Sequence, residues 1–224
     1  CAATPHLEPL LEISEKHLIP VHLAVVPDKI TASFGERLIG CSDVHLLQHG
    51  FTHINHEHAG FGASEFGDSR DVETQIRDLR QGWQQLVSAK LPNLLPGVVP
   101  PWNRMSDATL ARLPALGYRL ISAYEGYTSS IPIGGLIRVN AHVDPIRWKH
   151  ERRFRGTEAM LDLFTSHLVA RREGRISFAE PTGFLTHHLE TGSDIWDFTD
   201  QLFERLAHQG VAQWICLSSL LEQT

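Results

Sequence analysis

Residues 46–58 read LLQHGFTHINHEH and hold four of the 14 histidines of a 224-residue chain. His49 and His53 stand four apart, directly behind the apolar run 44–47. Residues at that spacing face one side of a helical turn, so the two imidazoles can share one metal ion. Zinc suits such ligands, and a catalytic zinc commonly takes three protein groups and keeps one position for water. Two histidines fall short of that number, so a carboxylate has to join them. Asp43, Glu57 and Glu65 are nearby in sequence, and none has a spacing that singles it out. His56 and His58 are expected in solvent, and Asn55 in a turn. Three further stretches carry chemistry-bearing side chains: PPWNR (100–104), DPIRW (144–148) and THH (186–188).

Positioning these groups falls to the elements that precede them. Thr4-Pro5 reads as an N-cap with proline at the first helical position, opening a helix to about Lys16. Strands are expected at 19–27, 44–48, 94–101, 119–124, 135–143, 183–188 and 211–217. Helices are expected at 29–39, 69–90, from Ser106 or Asp107 to Gly117, at 157–173 and at 194–209, with Gly174 and Gly210 ending the last two. The helix at 69–90 has the clearest pattern, with Val72, Ile76, Leu79, Trp83 and Leu86 on one stripe. Strands alternating with helices imply an α/β fold with a parallel sheet or barrel. The polar clusters all follow strand ends, and parallel α/β folds gather their sites at that carboxyl edge.

Bulk properties exclude several classes. A net charge of −6 with scattered basic residues leaves no footprint for nucleic acid or an anionic membrane surface. Apolar runs such as LIPVHLAVVP (18–27) are too short to cross a bilayer. Three cysteines, Cys1, Cys41 and Cys216, fit a reducing compartment, so a cytoplasmic protein is expected, with no signal or transit pattern in residues 1–224.

QHGFTHINH, VPPWNR and GFLTHH together resemble the polysaccharide deacetylase family, the NodB-homology hydrolases, with the likeness running from VHLAVVP to THH. The resemblance implies a distorted (β/α) barrel of the NodB type, formed as a single domain over 1–224. It implies an enzyme that removes an acyl group from an amide, as in an N-acetylated sugar or oligosaccharide, using one divalent metal. Zinc is expected, and cobalt, nickel or iron also accept imidazole and carboxylate ligands. The family opens on a strand with paired aspartates, one the base and one a metal ligand, ahead of its first helix. Residues 1–224 start at that helix, so the barrel lacks its first strand here, and the aspartates are expected upstream of Cys1.

By the same resemblance His49 and His53 are the metal imidazoles. His187 is the general acid, with His188 as its competitor, and Asp144 orients it. Arg104 orients the upstream aspartate. Trp102 walls the pocket, the backbone N–H of Trp102 or Asn103 faces the oxyanion, and Trp148 offers a face for a sugar. An alternative is a protein of the same fold, without the aspartate pair, that binds a carbohydrate or metal and hydrolyses nothing.

Overall fold

The computed structural model describes residues 4–128, 132–149, 151–210 and 212–222. Along the chain run α1 (Glu8–His17), β1 (Val21–Val25), α2 (Ala32–Arg37), β2 (Val44–His49), α3 (Val72–Ser88) and β3 (Leu94–Val99). Next come α4 (Asp107–Leu110), β4 (Leu120–Ile121), β5 (Ile137–Arg138), β6 (Ala141–Val143), β7 (Ile146–Arg147) and β8 (Arg153–Phe154). The series closes with α5 (Thr157–Arg172), β9 (Gly183–Phe184), α6 (Ser193–Gln209) and α7 (Leu217–Leu221). The chain divides into two compact units: His22–Asn140 with the last helix, and Thr4–Val21 with Ala141–Cys216.

In the first unit β1 to β5 lie in the order β1-β2-β3-β4-β5, and the neighbours from β2 onward run parallel. Each strand sits beside its predecessor in sequence, so the polar segment after every strand is delivered to one edge. Both faces of the sheet are covered. Ile121 packs with Phe66, Leu79 and Val98, while its neighbour Leu120 packs with Leu47, Leu95 and Leu217. That is why these strands read as apolar runs rather than alternating ones. The Asp71 side chain caps α3 by accepting the Thr74 N–H at 2.9 Å, and the expected stripe buries Ile76, Leu79 and Leu86. Each such side chain contributes about 1.5–3 kcal/mol.

The second unit pairs β6 with β9 in parallel and β7 with β8 in an antiparallel hairpin. Helix α1 packs on α6, where Lys16 and His17 both meet Asp200. Apolar residues of α6, Ile195, Phe198, Leu202 and Phe203 among them, form the buried side.

Several expectations change, and the strands expected at 119–124 and 183–188 shorten to the two-residue β4 and β9. The first helix starts at Glu8, because residues 5–7 form turns and the Leu7 N–H reaches Thr4 O. The helix after Ser106 ends at Leu110, since Pro114 has no N–H to donate and its ring crowds the carbonyl four residues back. The strand at 135–143 splits: β5 pairs with β4 and β6 with β9. Residues 212–216 form no strand (Val211 lies outside the described residues), and Leu217 opens α7 with its N–H on His22 Nε2 at 3.0 Å. The β7–β8 hairpin escaped the sequence reading because two-residue strands carry no periodicity.

Candidate functional site

In the first unit β2 ends at His49 and β3 at Val99, which are partners in register. His49 Nδ1 lies 2.8 Å from Val99 O, so Nδ1 carries the proton and the ring lone pair is on Nε2. The chain then turns at Gly50 (φ 63°), where a Cβ would run into the Glu65 carboxylate and the Pro101 ring. Glu65 is fully buried and accepts the N–H groups of Phe51, Thr52 and His53 and the Thr52 hydroxyl, at 2.8–3.3 Å. His53 takes the left-handed region (φ 59°), which brings its ring centroid to 5.0 Å from that of His49 and 4.4 Å from that of Trp102. A helical turn therefore does not explain the meeting of the two imidazoles. They meet because a strand end continues into a left-handed turn wound round a buried carboxylate. Glu65, one of the acidic residues weighed as a ligand, is committed to that turn instead.

Gln48 supports the turn from below. It is fully buried, donates to Gly50 O at 2.8 Å and Leu79 O at 3.1 Å, and accepts the Tyr118 hydroxyl at 2.6 Å. Burial raises the Tyr118 pKa, which keeps the phenol a donor. Burial also lowers the His53 pKa, with Lys29 adding to the shift, which favours the neutral imidazole a metal needs.

After β3, Trp102 and Asn103 both take left-handed φ values, 53° and 60°. The Asn103 N–H donates to Pro100 O at 3.0 Å and its Oδ1 accepts the Tyr124 N–H at 2.9 Å. Of the two N–H groups expected to face an oxyanion, that of Asn103 is thus already used. The Trp102 N–H makes no hydrogen bond among the described residues. The Arg104 guanidinium lies 5.0 Å from the Tyr127 ring centroid, with Gly62 against it and Ala63 O at 3.5 Å. Tyr127 in turn meets Tyr124 edge-on at 5.9 Å. Sequence patterns missed Gln48, Tyr118, Tyr124 and Tyr127 as members of this cluster, and weighed Glu65 only as a metal ligand. An acidic residue in a glycine-bordered loop was the one signal available.

The second unit assembles a separate group. Asp144 directly follows β6 and His187 lies three residues beyond β9, so the parallel pairing of those strands brings them together. Asp144 Oδ1 accepts the Ile146 N–H at 2.8 Å, and Oδ2 accepts Trp148 Nε1–H at 2.8 Å and lies 3.5 Å from His187 Nε2. The Trp148 and His187 rings meet edge-on at 4.7 Å. Their side chains grade from closed to open: Asp144 is 7 % exposed and His187 29 %. Of the tandem histidines it is His187 that reaches Asp144. His188 has its pKa lowered, first by burial and then by the charges of His187 and His6.

No protein-family model matches this chain, and no curated protein matches it in sequence. Solved structures do match. A protein described as a polysaccharide deacetylase from Mycobacterium smegmatis aligns over 94% of this chain and 80% of its own, with a TM-score of 0.60 at 13% identity. A family 4 carbohydrate esterase from Streptomyces lividans, solved with acetate, aligns over 93% and 85% with a TM-score of 0.56 at 12% identity. A deacetylase called T48, solved with substrate, aligns over 100% and 87% with a TM-score of 0.58 at 16% identity. The chain therefore has the polysaccharide deacetylase-like fold, α/β with a parallel sheet.

Proposed function

We propose that this chain is a metal-dependent hydrolase that removes an acyl group from an amide, on a distorted (β/α) barrel, with an N-acylated sugar as substrate. The observation that carries the reading is the His49–His53 pair. Two imidazoles at adjoining strand and turn positions lie 5.0 Å apart, one with its tautomer set by a backbone carbonyl. That donor set suits zinc and its borderline neighbours, and a carbonyl partner on the distal nitrogen is the support metal-binding histidines commonly have. His49 and His53 would hold a divalent ion, which when bound would supply Lewis acidity toward the acyl carbonyl and water.

Residues of this chain carry the proton-donating, oxyanion and substrate-facing roles. His187, protonated, gives its proton to the departing amine, a task suited to an imidazole. Asp144 and Trp148 set its ring: the carboxylate is anchored by the Ile146 N–H and the indole N–H, and the indole edge limits ring rotation. The Trp102 N–H is the candidate donor to the developing oxyanion, and its indole beside His53 walls the pocket. Arg104, held over Tyr127, has no carboxylate partner among the described residues and is suited to orienting an anionic group. Trp148, 45 % exposed, offers a face to a sugar ring.

The test is metal content by elemental analysis together with acetate release from tri-N-acetylchitotriose. His49→Ala and His53→Ala should lose both metal and turnover, whereas His187→Ala should keep metal and lose turnover. Full activity in His49→Ala ends the proposal. Metal retention without hydrolysis of any acylated saccharide points to the non-catalytic binder.

A further inference from the structure

Two histidines follow one another at 187 and 188, and only one of them meets Asp144. Resting on the hydrolase reading, we propose that His142 is the positioning residue that makes this choice, by setting the register of β9 on β6.

The register itself carries the evidence. Ala141 pairs with Gly183 and Val143 with Phe184, so β6 advances two residues while β9 advances one, leaving a bulge at His142. At that bulge a side chain receives the Gly183 N–H: Gly183 donates to His142 Nδ1 at 3.0 Å. Nδ1 is therefore the acceptor, and the neutral ring carries its proton on Nε2, which faces Glu180 Oε1 at 3.7 Å. One imidazole, its side chain only 3 % exposed, thus contacts both ends of the segment 180–183 that leads into β9. The His167 ring of α5 backs it at a centroid distance of 4.1 Å. Beyond the bulge the Leu185 N–H meets Val143 O at 2.8 Å, and His187 follows two residues later.

A slip of one residue shifts along β6 everything that β9 leads into, including His187 and His188, which lie beyond the strand. Without the His142 acceptor, the pairing that gives one β6 residue per β9 residue becomes available, and the Gly183 N–H has a reason to adopt it. Such a slip withdraws His187 from Asp144 and Trp148 and advances His188. Two-residue strands have few ladder bonds with which to resist it. His142 lies in β6 and Asp144 directly follows it, so the residue that sets the register and the residue that receives the histidine are fixed to the same short stretch of backbone.

Two substitutions separate this role from simple packing. His142→Phe keeps the ring volume against His167 and removes the acceptor. His142→Asn removes most of the ring but places Oδ1 close to where Nδ1 stood. In the full-length chain, nuclear Overhauser contacts between the Trp148 indole and the histidine rings report which imidazole is present, with His187→Gln and His188→Gln providing assignments. The wild type and His142→Asn should show contact from His187; His142→Phe should lose it or show His188 instead. Acetate release from tri-N-acetylchitotriose should fall roughly 10- to 100-fold in kcat for His142→Phe with KM little changed, and His142→Asn should recover most of it. An unchanged Trp148–His187 contact in His142→Phe overturns the proposal, as does its loss in both variants alike. If the wild type hydrolyses no acylated saccharide, the enzyme reading fails on its own while the ring contacts still decide the register.

Discussion

Glu65→Gln tests how the candidate metal loop is built. The carboxylate takes four donors, the N–H groups of Phe51, Thr52 and His53 and the Thr52 hydroxyl, with no exposure to water. Glutamine keeps the shape but replaces one oxygen by an NH2 group. Rotated to preserve the Thr52 bonds, it sets a donor against the His53 N–H. Hydrogen bonds to a charged acceptor contribute about 1.5–3 kcal/mol and neutral ones about 0.5–1.5, so each retained bond weakens by roughly 1 kcal/mol. Over the three retained bonds the loss comes to roughly 3 kcal/mol, a lower bound because the His53 bond is lost outright. For a chain of this size that corresponds to a fall in Tm of about 6–12 °C.

Metal affinity should fall as well, by roughly 10- to 100-fold, because the left-handed turn that places His53 depends on the same carboxylate. Differential scanning calorimetry and competitive zinc titration measure the two effects. Glu57→Gln is the matched control in the same loop. Its carboxylate caps the Ser69 N–H and hydroxyl near the surface, where both atoms can exchange to water. Wild-type Tm and zinc affinity in Glu65→Gln, or an equal loss in Glu57→Gln, would refute the idea that Glu65 builds the loop.

Tyr118→Phe leaves Gln48 Oε1 buried without its 2.6 Å donor and should cost about 1–3 kcal/mol in urea unfolding, with a secondary loss of metal affinity through the Gly50 turn. Gly82→Ala should be destabilising by about 1–3 kcal/mol, since a Cβ there meets Gln48 Nε2 at 2.5 Å. The Asp200 carboxyl is held below its ordinary value of 3.8, chiefly by hydrogen bonds from Lys16 and His17. A depressed carboxyl pKa contributes stability above the unfolded-state value and loses it as pH falls through the folded-state value. Wild type and Asp200→Asn should therefore differ in Tm near neutrality and converge as the pH falls through the folded-state value. Parallel Tm curves down to that pH would remove the α1–α6 ion pair from the account.

Local pattern was enough for the elements whose signal lies in neighbouring residues. The stripe of α3, the apolar runs of β2 and β3, and the glycine stops after α5 and α6 each record a choice made within one or two turns of chain. The polar segments at strand ends were legible for the same reason: a parallel sheet sends them to one edge, so His49, Trp102 and Arg104 of the first unit could be placed behind strand ends from sequence. Asp144 and the tandem pair His187 and His188 of the second could be placed likewise.

Tertiary structure decided everything that depends on a partner far along the chain. Glu65 reads as one more loop acid until the backbone of 51–53 closes on it. Gln48 and Tyr118 are 70 residues apart and become one hydrogen-bonded pair only when α3 covers β2. The choice between His187 and His188 is likewise absent from LTHH, because it lies in a bulge where His142, 41 residues before Gly183, replaces a backbone acceptor. Spacing along a chain reports which residues can share a face; which face meets which is settled by long-range packing and by where each buried N–H finds its acceptor.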